Sequence, residues 1–329
     1  MLSNFALRMK PFSTFFRRFP VVLTLLLWGS TMARAQQFAV PWVACAEADS
    51  GSTVWFRQQY VEPAALRYGL LTVATTGQVQ VRMNGRNVAP LLRMPHREAG
   101  DTSAVALTFD VSAFVRTDTN TVLVWYAPTT MERSRRQLSV CFYGEDELGR
   151  PFARTTDADW QWRKATTTLL PCGSELIDGS LNPTPWACDE GDVALWQPVV
   201  ECPEQLPFAP TRPQGMPVGD AIEAVLSPQS FDVEGDTVVY DFAPGFSGLL
   251  RLTLRGAKKG QRIEATGLSY QCSGDLDEQA IGRFGTLQVR RVQISGDKDF
   301  KPKQLERVEA LSVRAVHSLR WPDWRMWSE

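Results

Sequence analysis

Three tryptophans, Trp321, Trp324 and Trp327, recur at every third position of "LRWPDWRMWSE" (319–329), with Arg320 just before the first and Arg325 between the second and third. A flat indole stacks on the apolar C–H face of a sugar ring, while nearby polar groups bond its hydroxyls. A spacing of three sets the rings on one side of a helical turn after Pro322, or of a polyproline-like stretch. Trp321, Trp324, Trp327 and Arg325 are therefore the candidate ligand-binding set. Two other readings stay open for this tail: it packs back over the preceding domain, or it docks onto another protein. The remaining tryptophans of the mature chain, Trp42, Trp55, Trp125, Trp160, Trp162, Trp186 and Trp196, precede Gly219. Tryptophan is highly buried on average, and Trp55, Trp125, Trp160 and Trp196 read as core.

Other chemistry is poorly provided for. Glycoside hydrolysis normally takes two carboxylates flanking the bond. The densest acidic clusters, "GEDEL" (144–148) and "DLDEQ" (275–279), read as solvated loops, and neither has the D-x-D-x-D-G order of a calcium loop. The two histidines, His96 and His317, read as ordinary exposed or capping residues, and no G-x-S-x-G elbow is present. "GRFG" (282–285) reads as a turn rather than a phosphate loop. No catalytic residue, metal site or cofactor is assigned.

The six cysteines are Cys45, Cys141, Cys172, Cys188, Cys202 and Cys272. An even count in an exported chain permits disulfides, with one local bridge expected among Cys172, Cys188 and Cys202. The absence of C-x-x-C argues against zinc.

Export itself is read from the first 35 residues. Arg8, Lys10, Arg17 and Arg18 precede the apolar "VVLTLLLW" (21–28), and Ala33 and Ala35 supply an A-x-A cleavage site before Gln36. The apolar run is far shorter than the about 20 residues of a membrane span, and no other membrane segment appears. A secreted protein, periplasmic or extracellular, is expected. Without this segment and its five basic residues, 30 basic residues face 36 acidic ones, a net charge of about −6. Nucleic acid is therefore not the expected partner.

The elements that must position any site are strands. "QVQVRMNGRNV" (78–88) alternates Val79, Val81 and Met83 against Gln78, Gln80 and Arg82 before Asn84-Gly85, a strong hairpin signal. Residues 121–127, 137–144, 248–256, 285–295 and 308–316 read the same way. In "GLLRLTLRG", Leu250, Leu252 and Leu254 face one side, and Arg251, Thr253 and Arg255 the other. "RGAKKGQRIEA" reads as a loop and a returning strand. No segment carries four amphipathic helical turns. The expected fold is all-β, with two jelly-roll-like β-sandwich domains at 36–205 and 218–329. Between them lies a Pro-rich linker, 206–217, within a stretch holding five prolines in 203–217.

Three blocks resemble the N-terminal accessory domains of bacterial α-L-rhamnosidases. Residues 55–126 resemble that family's opening strands. Residues 156–200 resemble T-D-x-S-W-K … I-Y-D-G-E … W-x-P-V, with Asp157, Trp160, Ile177, Asp178, Gly179, Trp196 and Pro198 in place. Residues 238–256, "VVYDFAPGFSGLLRLTLRG", resemble v-x-D-F-G-Q-N-x-x-G-W-V-R-L-x-V-x-G through Asp241, Phe242, Gly248, Arg251, Leu252 and Gly256. Two departures stand out: Ser180 occupies a Glu position, and Pro244-Gly245 a Gln-Asn pair. In the family the catalytic acids lie in a helical barrel after these domains, so no residue here inherits their role. The resemblance implies a non-catalytic, carbohydrate-binding or carbohydrate-associated protein, with a rhamnose-containing glycan as its ligand. The alternatives are an interaction subunit of a separately encoded glycoside hydrolase and, last, a truncated glycosidase with an unrecognised active site.

Overall fold

The alternation read at 78–88 is borne out on its apolar face, where Val79, Val81 and Met83 all enter the core. In the computed structural model, Gln78–Met83 and Arg86–Asn87 are strands, and Asn84 and Gly85 turn between them with φ of 52° and 81°. Positive φ at both central residues is what a two-residue hairpin turn requires. The structure describes residues 41–45, 51–61, 65–97, 104–129, 136–181, 195–202, 212–214 and 219–316. The signal segment, Cys188, Trp186, His317, most of the Pro-rich linker and the whole tryptophan tail lie outside them. The described residues belong to one compact unit, Val40–Glu329. They form strands and short 3-10 turns, so the all-β expectation holds.

One sheet orders the strands 200–202, 42–44, 137–146, 66–75, 105–110 and 212–214, with 151–155 paired onto 137–146. The other begins with the edge strand Gly219–Leu226. It continues through 305–316, 237–255, 287–296, 262–265, 268–271, 175–178, 161–169, 52–61, 119–127, 78–83 and 86–87. Proline lacks an amide donor and is confined to sheet edges. Pro213 obeys this, since Arg212–Gln214 adds to the first sheet only as an edge strand, parallel to Val105–Asp110.

Two cores follow from the alternation. Val54, Phe56, Val124 and Tyr126 face Leu71, Val73, Val140 and Phe142 across the first sandwich, and Trp160 is fully buried among them. Leu250, Leu252 and Leu254 point into the second core with Ile263, Val292 and Ile294. Each such side chain contributes roughly 1.5–3 kcal/mol by leaving water. The strand after "RGAKKGQ" does return, but not onto 248–255. Arg262–Ala265 pairs with Leu268–Gln271 and with 294–296.

Glu175–Asp178 joins the cores. It pairs antiparallel with 167–169 and parallel with 268–271, so one continuous sheet serves both.

Candidate functional site

The hairpin 230–241 builds one wall of an open cleft that presents aromatic and charged side chains together. Ser230–Glu234 and Thr237–Asp241 pair around a Gly235-Asp236 turn, with Gly235 at φ 63°. Period two places Phe231 and Val233 on one face of the first strand. Register sets Phe231 opposite Tyr240 and Val233 opposite Val238. Ser230–Glu234 is an edge strand bonded only to its hairpin partner, so this face opens to solvent.

A cleft of about 490 Å³ lies between this hairpin and the start of the strand Leu305–Val316. Val238, Leu305 and Val308 form its apolar floor, and Lys303, Glu306 and Arg307 stand at its polar side. Phe231 is 62% exposed, and its ring lies 5.7 Å from that of Tyr240 at 35°. Partial burial raises the Tyr240 phenol above its ordinary value, so it stays protonated and able to donate a hydrogen bond. Apolar ring faces beside charged and hydroxyl groups suit a sugar's two-sided surface. Among the described residues lining the cleft, Glu306 is the one carboxylate. Sequence reasoning passed this hairpin by, although Gly-Asp between alternating runs "SFDVE" and "TVVYD" is a two-residue turn signal.

The candidate set Trp321, Trp324, Trp327 and Arg325 lies outside the described residues. Trp55, Trp125, Trp160 and Trp196 are core, as expected. Trp55 stacks on Trp125 at 4.7 Å, and Phe284 meets Trp125 edge-on at 5.2 Å. Arg57 and Arg163 cover the Trp196 ring at 4.6 and 5.2 Å. These tryptophans brace the fold.

The acidic clusters correct the sequence reading, because neither is simply a solvated loop. Asp146 is buried and organises its own turn, accepting from the amides of Leu148 and Arg150 and from the Arg150 side chain. Glu278 points inward from the strand Asp277–Ile281 and accepts from the Tyr270 hydroxyl at 2.8 Å and the Ser273 amide at 2.7 Å. Both carboxylates satisfy local donors that sequence spacing does not reveal. No cluster of three or more metal-ligating side chains occurs among the described residues.

"GRFG" is more than a turn. Glu175 is buried, and its carboxylate accepts from the amides of Arg283 at 2.8 and 2.9 Å, Phe284 at 2.9 Å and Gly285 at 2.7 Å. Successive amides that converge on one point make an anion nest. This nest is filled by the protein's own carboxylate. On the carbonyl side of the same loop, Arg93 donates to the Phe284 and Gly285 carbonyls and the Thr286 hydroxyl, while its Nε bonds Asp220 at 2.5 Å. His96, read as an exposed or capping residue, bonds the other Asp220 oxygen through Nδ1 at 2.7 Å. The loop is thus held from both sides, and Phe284 seats against Trp125.

Of the three cysteines among which a local bridge is expected, Cys188 lies outside the described residues and Cys172 carries no bridge. Cys172 is an exposed thiol on the 170–174 turn, unbridged, hydrogen-bonded to the Ser174 hydroxyl at 3.1 Å. The Ser174 hydroxyl and amide lower its pKa, whereas burial pushes the Cys272 thiol up to about 12. Thiolate is the reactive form. Iodoacetamide near neutral pH is therefore expected to label Cys172 readily and Cys272 only on unfolding, as read by peptide mass mapping. Equal labelling of the two in native protein would contradict the buried placement of Cys272.

No protein-family model matches the sequence, and no curated protein is detectably similar to it. Solved structures do match. The α-L-rhamnosidase of Dictyoglumus thermophilum aligns with TM-score 0.72 and 18% identity over 84% of this chain and 35% of that one. The Aspergillus terreus α-L-rhamnosidase aligns with TM-score 0.69 and 17% identity over 85% of this chain and 36% of that one. The Streptomyces avermitilis α-L-rhamnosidase, solved with L-rhamnose, gives TM-score 0.69 and 17% identity over 80% and 29%. The chain spans about a third of the length of these enzymes. At such identity the likeness is one of fold, and at that level the resemblance read from the sequence is borne out. No helix among the described residues is long and apolar enough to cross a membrane.

Proposed function

We propose that this chain is an exported, non-catalytic carbohydrate-binding protein, acting in the periplasm or outside the cell. The observation that carries the reading is the open cleft of the second sandwich, where Phe231 and Tyr240 present ring faces beside Lys303, Glu306 and Arg307. Among the described lining residues Glu306 is the one carboxylate, which supports binding over hydrolysis, a reaction that normally takes two. Shared fold with α-L-rhamnosidases, one of them solved with L-rhamnose, makes rhamnose-containing glycans the first ligands to test.

The test titrates residues 36–329 with rhamnose-containing oligosaccharides and polysaccharides, following tryptophan fluorescence and heat. Saturable binding without release of free sugar is expected. Phe231→Ala is expected to weaken it about tenfold, roughly 1.4 kcal/mol of lost stacking, at unchanged melting temperature because the ring is largely in water. Unchanged affinity in Phe231→Ala would remove the cleft from the proposal. Alanine changes at Trp321, Trp324 and Trp327, with Arg325, test the tail as a second contact face. A total lack of binding would turn the reading toward a subunit of a separately encoded glycoside hydrolase.

A further inference from the structure

Five of the chain's seven lysines lie in two loops, 256–262 and 296–304. The loops are stitched together beneath the surface. The buried side chains of Gln261 and Gln304 bond each other at 2.9 Å, and Gln304 also donates to the Gly256 carbonyl at 3.2 Å. The Asp297 carboxylate accepts from the Arg262 amide at 2.9 Å, which fixes the second contact between them. All five lysines, Lys258, Lys259, Lys298, Lys301 and Lys303, are exposed.

The carboxylates interleaved with them are largely committed. Asp297 holds backbone amides, and Asp299 pairs with Lys258 at 2.6 Å. Beside Lys258, with Lys298 and Lys301 nearby, the Asp299 carboxyl lies below its ordinary range. Among the described residues, Lys259, Lys298, Lys301 and Lys303 form no salt bridge. A mature chain of net negative charge therefore carries one concentrated basic end. That end runs into the cleft, because Lys303 and Arg307 line it opposite Phe231 and Tyr240. Glu306 in the cleft, Asp232 and Glu234 on the hairpin, and Asp275 and Asp277 on the loop packed against Lys259 leave the surplus positive where Lys298, Lys301 and Lys303 stand.

We infer that the ligand of this cleft is an acidic glycan, a polysaccharide whose sugar units carry carboxylates. The aromatic pair takes a ring face, and the lysine loops take the carboxylates of that unit and its neighbours along the chain. The inference rests on the carbohydrate-binding reading and names the class of glycan. Such attraction is long-ranged and salt-sensitive, as the screening length falls from about 10 Å at 0.1 M salt to about 3 Å at 1 M.

The experiment titrates residues 36–329 with polygalacturonate, with its methyl-esterified form, with a neutral rhamnose-containing polysaccharide and with polyglutamate as a sugar-free polyanion. Polygalacturonate is expected to bind at least about tenfold tighter than its ester and than polyglutamate, and to weaken about tenfold between 0.1 M and 1 M salt. Lys301→Ala with Lys303→Ala should remove most of the preference over the ester, and Phe231→Ala should weaken acid and ester alike. Equal binding of acid and ester, or binding of the neutral polysaccharide alone, would overturn the acidic-glycan inference and leave carbohydrate binding standing. Equal binding of polygalacturonate and polyglutamate would also overturn it, as would a preference for the acid that survives the double lysine change. No binding to any of the polysaccharides would overturn both readings.

Discussion

Glu175→Ala is expected to cost the fold about 3–5 kcal/mol and to lower the melting temperature by about 10 °C. The carboxylate is buried and is the acceptor for the amides of Arg283, Phe284 and Gly285. Removing it leaves these donors unsatisfied, each a cost of about 1–3 kcal/mol where water cannot replace the oxygen. The same loop carries Phe284, whose ring meets Trp125, so its loosening also exposes apolar area. Glu175→Gln should lie between wild type and alanine, because it keeps the shape but turns one acceptor into a donor.

The pH dependence follows from burial. Burial raises the Glu175 carboxyl above its ordinary value, against the pull of the three amides and Arg93. The folded protein then holds this proton more tightly than the unfolded chain does. The stability it contributes is full below the usual glutamate value and is lost as pH rises through the higher folded value. Thermal melts across that range should show the Glu175→Gln deficit largest in acid and shrinking toward neutrality. A Glu175→Ala protein that melts within about 2 °C of wild type would show that the nest holds nothing together.

Gly248→Ala is expected to be comparably damaging, at about 3 kcal/mol or more. Gly248 sits within Thr237–Arg255, paired on both sides, with Leu287 in one neighbour and Ser312 in the other. An added Cβ would overlap the Leu311 carbonyl oxygen and stand 3.1 Å from the Ser312 Cα. Ordinary overpacking costs about 1–3 kcal/mol because side chains shift. Here the obstacle is backbone in a central strand, so the strand pairing itself must yield. Gly235→Ala is the control. Its φ of 63° is strained for alanine, but nothing lies within 4 Å of the added carbon. A cost of about 1–2 kcal/mol is expected there. Should Gly248→Ala melt like wild type, the close approach of the two strands would be wrong.

Much of the architecture was legible along the chain, because a side chain's face in a strand is a local property with period two. Leu250, Leu252 and Leu254 reach the core for that reason, and Asn84-Gly85 turns because both residues accept positive φ. The buried tryptophans and the position of Gly248 were legible too. Contacts between distant segments were not. Glu175 lies 108 to 110 residues from the amides it binds, and Arg93 lies 191 from the Phe284 carbonyl. Nothing in "GRFG" says which carboxylate will fill its nest. Asp146 and Glu278 looked solvated for a different reason: their donors are near in sequence but come within reach only when turns and strands close around them. The cleft combines both cases. Alternation and a Gly-Asp turn place Phe231 opposite Tyr240, and the sequence by itself carries that much. That the hairpin ends a sheet, and so opens onto Lys303 and Arg307, was decided by strand order, which tertiary packing alone selects.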